Sequence, residues 1–469
     1  MTTAGEGISW LDLPPRVDSA EALAAGKAAR ARVPRSAHAT WEPAPGRPDP
    51  VGLLRATDDE RLTDLVPVRF GRMAVNEFTF FRGAAAVMAS DLSTLPISGI
   101  RTQICGDAHI LNFGAYATPE RNLVFDVNDF DETLPGAWEW DIKRLVASVA
   151  IAGRHLALRP RERRAAVLRC AATYRTRIAE CARMRVLDVW YSRVDETTLI
   201  HLIRSAQERK QTEDSIAKAL QRTNAHAYPN LVAQSGADMR IDDEPPLIFH
   251  PPDPGFHKSA ERLFARYRAA MPLDRRLLLS RFSLVDAAYK VVGVGSVGTR
   301  CLALLLVAGD ADPLVLQAKE ALASVFEPYA GAPPKRSSHG DRVVTGQHLM
   351  QAASDLFLGA ARSDEGRDFY IRQIRDVKSS ANVERMTGAD LAEHAGFCGW
   401  ALARAHAKAG GVAGPIAGYL GRGDAFDTAL ATFAEAYADQ NSRDYARLME
   451  AIAAGEVDAS PPAEPRAAR

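Results

Sequence analysis

The feature of this sequence that most constrains its fold is residues 105–141, where acidic and amide side chains alternate with apolar ones. The polar members of this segment are Asp107, His109, Asn112, Asp126, Asn128, Asp129, Asp131, Glu132 and Asp141. Carboxylates this close together repel one another unless a cation lies among them, and hard divalent cations prefer carboxylate and amide oxygen atoms. Phe125, Val127 and Phe130 lie between the acids, which argues against a fully exposed loop. We therefore predict a site of chemistry here, built around a divalent cation.

The composition argues against several classes of partner. Lys plus Arg and Asp plus Glu both total 58, so the formal charge of zero gives no global field for nucleic acid or an anionic membrane. No apolar run approaches the length of a membrane-spanning helix, and the first residues lack the pattern of a secretory signal. The five cysteines are scattered without a CxxC pair, which indicates reduced thiols. We expect a cytoplasmic protein without nucleic-acid or membrane partners, and its oligomeric state stays open.

The 469 residues are too many for one small core, and the order of periodic segments predicts an α+β protein. Helices are expected at residues 19–33, 77–91, 139–156, 160–184, 186–201, 202–220, 258–271, 274–282, 345–358, 388–410 and 425–454. Short apolar runs separated by turn residues predict antiparallel strands between residues 283 and 320, and a further strand pair near residues 368–380.

A glycine-rich turn, GVGSVG, contains Gly293, Gly295, Ser296 and Gly298. A dinucleotide-binding fold requires a helix after such a turn, whereas the residues that follow here, TRCLALLLV, predict a strand. A glycine turn between antiparallel strands resembles the loop that covers the phosphates in protein kinases. Lys319, which ends a later strand, matches the kinase lysine that holds the α and β phosphates. The alternatives are a hairpin without a ligand and an exposed lysine at a strand end.

The segment GDAHILN places Asp107 and Asn112 five residues apart. In kinases a catalytic aspartate accepts the proton of the attacking hydroxyl group, and an asparagine five residues later binds a metal ion. The segment resembles the motif H-G-D-x-H-x-x-N of the aminoglycoside phosphotransferases, with Cys105 in place of the first histidine. By this resemblance His109 is expected to brace the loop rather than bind a metal. The alternative is a hydrogen-bonded turn without a catalytic role.

A metal-binding aspartate follows the catalytic loop in kinases. Asp129 is the first candidate, because Phe130 follows it as in the kinase sequence D-F-G, and Asp126 is the second. Asp131 is a supporting acid in the same run. Asp141, in WEWDIKRL, resembles a structural aspartate near the start of the next helix in the aminoglycoside phosphotransferases. The alternative for the whole group is a surface acidic loop.

Together with FYIRQIRDVKSS, VVTGQHLMQAASDLFLG and YADQNSRDY, these motifs resemble the bacterial family called domain of unknown function 2252, over residues 50–455. The resemblance implies a two-lobed protein-kinase-like fold, with a mostly helical large lobe and a small lobe made of an antiparallel sheet. The catalytic loop precedes the glycine turn, which reverses the kinase order, so we expect a circular permutation. The expected segments are a partly disordered arm (1–50), the large lobe with the catalytic loop (51–282), the small nucleotide-binding lobe (283–383), helices that complete the large lobe (384–455) and a disordered tail (456–469).

The resemblance implies a phosphotransferase that moves the γ-phosphate of ATP, with Mg²⁺ or Mn²⁺, to an unidentified small-molecule or protein acceptor. Asp107 would be the base and Lys319, with the glycine turn, the phosphate clamp. One alternative is a pseudokinase that binds a nucleotide without turnover, because neither Glu320 nor Glu327 is clearly placed to pair with Lys319. A metal-dependent phosphoesterase also opens its metal site with G-D-x-H, but it needs further histidine ligands in a G-N-H motif that the sequence lacks.

Overall fold

The computed structural model describes residues 18–195, 231–235, 238–309, 312–331, 338–374 and 378–461. The helix expected at residues 202–220, residues 196–201 of the one expected at 186–201, the start of the arm (1–17) and the end of the tail (462–469) lie outside the described residues. The helix expected at 186–201 extends only over Val186–Tyr191 and is followed by a strand at Val194–Asp195, so its predicted length was wrong. Within the described ranges, no helix is both long and apolar enough to cross a membrane.

The helices of the described chain range from a single turn to 29 residues. They are α1 (Ser19–Arg32), α2 (Pro50–Arg55), α3 (Val66–Met73), α4 (Glu77–Gly83), α5 (Ala85–Ser93), α6 (Trp138–His155), α7 (Pro160–Cys181), α8 (Val186–Tyr191), α9 (Phe256–Ala270), α10 (Leu273–Leu279), α11 (Glu327–Ala330), α12 (His339–Met350), α13 (Gly388–Gly410), α14 (Ala413–Leu420) and α15 (Ala425–Ala453).

The strands pair antiparallel throughout the described chain. They are β1 (Arg101–Ile104), β2 (Phe113–Ala117), β3 (Leu123–Val127), β4 (Leu134–Ala137), β5 (Val194–Asp195), β6 (Val232–Ser235), β7 (Asp238–Ile241), β8 (Ile248–Phe249), β9 (Ser283–Lys290), β10 (Cys301–Ala308), β11 (Asp312–Glu320), β12 (Gly359–Arg362), β13 (Asp368–Gln373) and β14 (Lys378–Ser380). One sheet has the order β12-β13-β11-β10-β9-β8, a second has β14-β2-β3-β5, and β1-β4 and β6-β7 form separate pairs. The mixture of helices and antiparallel sheets agrees with the expected α+β class.

The main apolar core lies where α6, α7, α13 and α15 meet. Nearly every residue of α6 is buried, including Lys143 and Arg144. Helices α7 and α13 approach closely at Gly399, where a Cβ atom would lie 2.4 Å from the carbonyl oxygen of Cys170. Strand β1 packs against both α6 and α13. The loop that follows β1 therefore starts from a rigid base.

The six-stranded sheet is covered on both faces at its centre. Leu302, Leu304 and Leu306 of β10 pack with α9 in one apolar cluster, whereas Ala303 and Leu305 belong to a second cluster on the other face. Successive strand residues point to opposite faces, so the unbroken apolar run of β10 is what a strand buried on both faces requires.

The glycine-rich turn joins β9 to β10, as predicted. Cys301, the first residue of β10, lies opposite Lys319 of β11. This register places Lys319 at the end of the sheet that carries the turn.

The helix predicted at residues 345–358 is displaced, and this expectation was wrong. The observed helix, α12, begins at His339, where the side chain of Ser338 accepts the backbone N–H of Asp341 at 3.0 Å. It ends at Met350, whose carbonyl oxygen accepts from Arg404 at 2.5 Å. Side chains from a distant part of the chain thus replace the next helical hydrogen bonds, which the local pattern does not indicate.

Two further local expectations were wrong. The strand pair predicted near residues 368–380 is divided, because β13 pairs with β11 and β12 whereas β14 pairs with β2. The helix predicted at residues 77–91 is interrupted at Ala84, which has φ −103° and ψ 36°. The carbonyl oxygen of Phe81 accepts there from Arg144 at 3.2 Å. In contrast, α1, α6, α13 and α15 match their predicted bounds to within one residue.

Candidate functional site

The loop after β1 is held by one buried carboxylate. Asp141, in the first turn of α6, accepts the backbone N–H groups of Cys105 at 2.8 Å and Gly106 at 2.9 Å. Nε2 of His406, on α13, lies 3.0 Å from the same carboxylate. Gly106 has a φ of 81°, and a Cβ atom there would lie 2.4 Å from the carbonyl oxygen of Glu132. The loop therefore requires glycine at this position, and its course is fixed from two sides.

Asp107 and Asn112 meet within this loop. The Asn112 side chain donates through Nδ2 to the backbone carbonyl of Asp107 at 2.7 Å, which leaves its amide oxygen available as an acceptor or a metal ligand. Arg144 of α6, which is fully buried, donates through Nε to Asp107 Oδ1 at 2.5 Å. Nε2 of His109 lies 3.8 Å from Asp107 Oδ2, and burial lowers the pKa of His109 to about 4. A buried arginine thus orients the candidate base, while His109 is neutral at pH 7.

The acids that follow β2 have different surroundings. Asp126 of β3 is fully buried, and both its carboxylate oxygen atoms accept from Arg404 at 2.5 Å. Its Oδ2 also accepts the backbone N–H of Ala352 at 2.7 Å. Asp129, the other candidate metal ligand, lines a cleft. The structure therefore uses Asp126 in an internal ion pair and leaves Asp129 beside the cleft.

Lys319 contacts Asp131 across 188 positions of sequence. Its ammonium group donates to Asp131 Oδ2 and, at 2.7 Å, to the hydroxyl oxygen of Ser296 in the glycine-rich turn. The other oxygen, Asp131 Oδ1, accepts from the hydroxyl group of Tyr370 at 2.7 Å. Burial lowers the pKa of Lys319, but Asp131, Tyr370 and Asp129 together outweigh burial and raise that pKa well above its ordinary value. Lys319 is therefore a charged group held between the sheet and the acidic run.

The glycine-rich turn is held by arginines from the N-terminal part of the chain. Arg61 donates to the carbonyl oxygen of Gly295 at 2.9 Å, and Arg72 donates to that of Gly293 at 2.5 Å. Gly293 has a φ of 68°, which residues with a side chain rarely adopt. The turn is therefore a preformed loop with its carbonyl groups bound by side chains.

Two adjoining cavities lie between these elements. One, of about 430 Å³, is lined by Asp107, His109 and Glu132, and we call it the catalytic-loop cavity. The other, of about 390 Å³, is lined by Lys319 and Ile374, and we call it the lysine cavity. The residues that line both are Arg82, Asn112, Asp129, Gly293 and Ser296. Both volumes are typical of small-ligand sites, which span roughly 300–1,000 Å³.

Glu132 is an acid of the catalytic-loop cavity whose charge changes near neutral pH. Burial raises the pKa of Glu132 to about 7, and Asp131 and Asp107 add to this rise. The backbone N–H of Val325, which donates to Glu132 Oε2 at 2.7 Å, and the Arg342 guanidinium act in the opposite direction. Burial prevails, so Glu132 exchanges a proton within the physiological pH range.

The structure brings together the predicted loop, the predicted turn and Lys319, and it adds residues that the sequence did not suggest. The acidic partner of Lys319 is Asp131, whereas Glu320 pairs with Arg300 and Arg367. No short-range pattern could pair residues so far apart. Arg144 was also missed, because its contact with Asp107 spans 37 positions of sequence and has no local signal.

The few side-chain oxygen atoms that line the cleft suit a cation that is bound jointly by the protein and by the phosphates of a small molecule. Among the residues that the structure describes, no group of three or more His, Cys, Asp or Glu side chains could hold a metal ion. Asp129 and Asn112 both line the two cavities and supply one carboxylate and one amide oxygen. Mg²⁺ is usually held by one or two carboxylates together with substrate phosphates and water. These two residues therefore fit an Mg²⁺ ion that is also bound by phosphates. Asp126, the second candidate ligand, is already paired with Arg404.

The fold and the cleft define an α+β protein with two charged, adjoining cavities beside an antiparallel sheet. Residues 61–451 match the family described as "Uncharacterized protein conserved in bacteria (DUF2252)", which is most of the chain, so the chain belongs to this family. The family predicted from the sequence motifs is thereby confirmed. Comparisons with curated proteins and with solved structures each gave no match.

Proposed function

We propose that this protein is a phosphotransferase that moves the γ-phosphoryl group of ATP, with Mg²⁺ or Mn²⁺, to an acceptor bound beside Asp107. The observation that carries the proposal is the contact between Lys319 and Asp131, which joins two groups of motifs at one cleft. In kinases the strand lysine and the metal-binding aspartate act on the same nucleotide. A direct contact between Lys319 and the acid two residues after Asp129 meets this requirement.

The order of elements around Lys319 supports the proposal. The chain runs through β9, the glycine-rich turn, β10, β11 with Lys319, and then α12, which is the kinase order of glycine loop, lysine strand and helix. A circular permutation explains why the catalytic loop comes earlier in the sequence. In the folded protein, the strand that leads into this loop lies beside the end of α13. A Cβ atom at Gly410, the last residue of α13, would lie 2.7 Å from Thr102 Oγ1 in this strand, β1. The spatial order of α13 and then the catalytic loop is thus the kinase order.

Each predicted site residue has a role in this reaction. The nucleotide occupies the lysine cavity, where Lys319 and the glycine-rich turn bind its phosphates. Asn112 and Asp129 would hold Mg²⁺, which offsets the negative charge of the phosphates. The acceptor oxygen forms a bond to the γ-phosphorus as the bond from that phosphorus to the β–γ bridging oxygen breaks. ADP leaves with the electron pair, and the acceptor proton passes to Asp107.

A second candidate function is a pseudokinase, which would bind the nucleotide without turnover. It is favoured by the environment of Asp107, because Arg144 already engages one carboxylate oxygen and leaves only Oδ2 for a proton. The position of the acidic partner of Lys319 also differs from that in kinases, where a glutamate of the helix after the lysine strand fills this role. A metal-dependent phosphoesterase is not proposed, because the described residues offer no sufficient ligand group.

A thermal-shift screen with ATP, ADP and GTP, each with Mg²⁺ or Mn²⁺, tests the proposal. We expect stabilisation by a nucleotide with a cation, and its absence with every nucleotide would contradict both candidate functions. ATP consumption by the wild type and by Asp107→Asn then separates the two. Turnover that Asp107→Asn abolishes while nucleotide binding persists supports the phosphotransferase, whereas binding without turnover in the presence of a broad panel of hydroxyl acceptors supports the pseudokinase.

A further inference from the structure

Arg82 is a charged residue of the cleft to which the proposed function gives no role. It lies near the end of α4, and it lines both the catalytic-loop cavity and the lysine cavity. The residues that share this position with it are Asn112, Asp129, Gly293 and Ser296. Arg82 therefore lies where the two cavities meet, beside the candidate metal ligands and the glycine-rich turn.

The guanidinium group of Arg82 has no protein partner in the described part of the chain. Three other arginines line the cavities, and Arg61, Arg69 and Arg372 each donate to a protein oxygen atom. In contrast, Nε of Arg82 is buried and donates to none of the described residues. Burial lowers the pKa of Arg82, with Asp107 acting in the opposite direction, but a guanidinium remains charged in proteins.

Arg82 is partly buried and its buried Nε makes no hydrogen bond to a described residue, so the guanidinium group has lost part of its water and regains only the attraction of Asp107. The cost of this desolvation is recovered when an anion binds. An arginine is suited to this task because its planar fork donates two parallel hydrogen bonds to the oxygen atoms of a phosphoryl group.

The surroundings of Arg82 offer further donors to an anion. Helix α5 begins at Ala85, and its first residues, Ala85 and Ala86, line the catalytic-loop cavity. This helix has neither a side-chain cap nor an acidic residue in its first turn. The partial positive charge of its N-terminal N–H groups is therefore not offset by a side chain of the helix. His109 is 4% exposed, lines the same cavity, and its Nδ1 has no partner among the described residues.

We propose that Arg82 is a catalytic residue that binds the phosphoryl group in transit from the lysine cavity to the acceptor beside Asp107. This inference rests on the proposed function. The group in transit must lie at the junction of the two cavities, where Arg82 is found. Negative charge spreads over three oxygen atoms of that group in the transition state, and Arg82 stabilises it there without changing the bonds made and broken.

Binding of three ligands to the wild type and to Arg82→Gln tests the inference, each with Mg²⁺: ADP, ATP, and ADP with fluoroaluminate as a mimic of the phosphoryl group in transit. We expect Arg82→Gln to bind ADP as the wild type does, to bind ATP about tenfold more weakly, and to lose at least about 100-fold in affinity for the fluoroaluminate complex. Arg163→Gln, which alters a partly buried arginine that pairs with Glu435 in the helical core, should change none of the three affinities.

Equal losses for ADP and for the fluoroaluminate complex, or no loss for either, would overturn the inference while leaving the proposed function intact. A wild type that binds no nucleotide would contradict the proposed function. Thermal stabilisation by pyrophosphate alone then decides whether an anion site remains. Stabilisation that Arg82→Gln removes would retain Arg82 as an anion-binding residue and refute its catalytic role, and no stabilisation would refute both.

Discussion

Lys319 and Asp131 form an ion pair that links the six-stranded sheet to the acidic run after β3. The lysine side chain is 4% exposed and the aspartate side chain 25%, so solvent screens the pair only partly. Asp131 also accepts from Tyr370 on β13 and from Ser296 in the turn between β9 and β10, so all three of these partners belong to the six-stranded sheet or its turn. In the proposed function, the phosphates of a nucleotide would compete with Asp131 for the ammonium group or share it.

Replacing Lys319 by methionine should destabilise the protein, because Asp131 then keeps a negative charge in a partly dry environment. We expect a loss of about 1–3 kcal/mol in the free energy of unfolding, measured by urea denaturation. Asp131→Asn should cost a similar amount, and the double variant less than the sum of the two. Strictly additive losses would show that the two residues do not interact in solution.

Asp129→Asn and Asp126→Asn should fail in different ways, although the two aspartates are close in sequence. Asp129→Asn should keep its stability in the absence of ligand and lose the cation-dependent part of nucleotide stabilisation. Asp126→Asn removes the charge that Arg404 faces in the core, so it should cost about 3–5 kcal/mol of unfolding free energy. Thermal denaturation with and without MgATP measures both effects. If MgATP still stabilises Asp129→Asn but no longer stabilises Asp126→Asn, then Asp126 and not Asp129 is the metal ligand.

Much of the fold was predictable because its signals are local. The alternation of apolar residues at helical spacing predicted α6, α13 and α15, and the run of glycines between apolar segments predicted the β9–β10 hairpin. The errors arose where distant side chains end or divide an element. Arg404 binds the carbonyl group of Met350 at the end of α12, and Arg144 binds that of Phe81 where α4 ends.

The candidate site was predictable in its residue types and only partly in its contacts. The spacing of Asp107 and Asn112 indicated the loop, in which Asn112 donates to the Asp107 carbonyl oxygen, but not the Asp141 carboxylate that holds the loop from 36 positions beyond Cys105. The sequence ranked Asp129 ahead of Asp126 as a metal ligand because Phe130 follows Asp129. The ion pair of Asp126 with Arg404, which occupies the second candidate, spans 278 positions of sequence and has no local signal.

Glu132→Gln should change the pH dependence of stability in a defined direction. The pKa of Glu132 is raised from 4.5 to about 7 in the folded protein, so between these values the unfolded chain loses the proton while the folded chain keeps it. The contribution of Glu132 to the free energy of unfolding is therefore complete below pH 4.5 and falls by up to about 3 kcal/mol as pH rises to 7.

Glutamine cannot titrate, so the stability of Glu132→Gln relative to the wild type should increase between pH 5 and pH 8. Urea denaturation at closely spaced pH values gives this difference directly, and other titrating groups cancel because both proteins contain them. A difference that stays constant, or that changes only below pH 5, would show that the carboxyl group is not desolvated as the structure indicates.

Substitutions at two glycines of the turn should show separately what glycine contributes to the folding of the hairpin and to the binding of phosphates. Gly298 has a φ of 90°, and a Cβ atom there would lie 3.0 Å from Arg61 Cβ, so Gly298→Ala should cost about 1–2 kcal/mol of stability. A Cβ atom at Gly295 would lie 3.4 Å from the carbonyl oxygen of Arg82 and 3.8 Å from the Cα atom of Gly83, which are ordinary contacts, so Gly295→Ala should fold normally. Because Gly295 lines the catalytic-loop cavity, its new methyl group should keep phosphates from the backbone and weaken ATP binding. If Gly295→Ala binds ATP as tightly as the wild type in a titration, these glycines serve the hairpin alone.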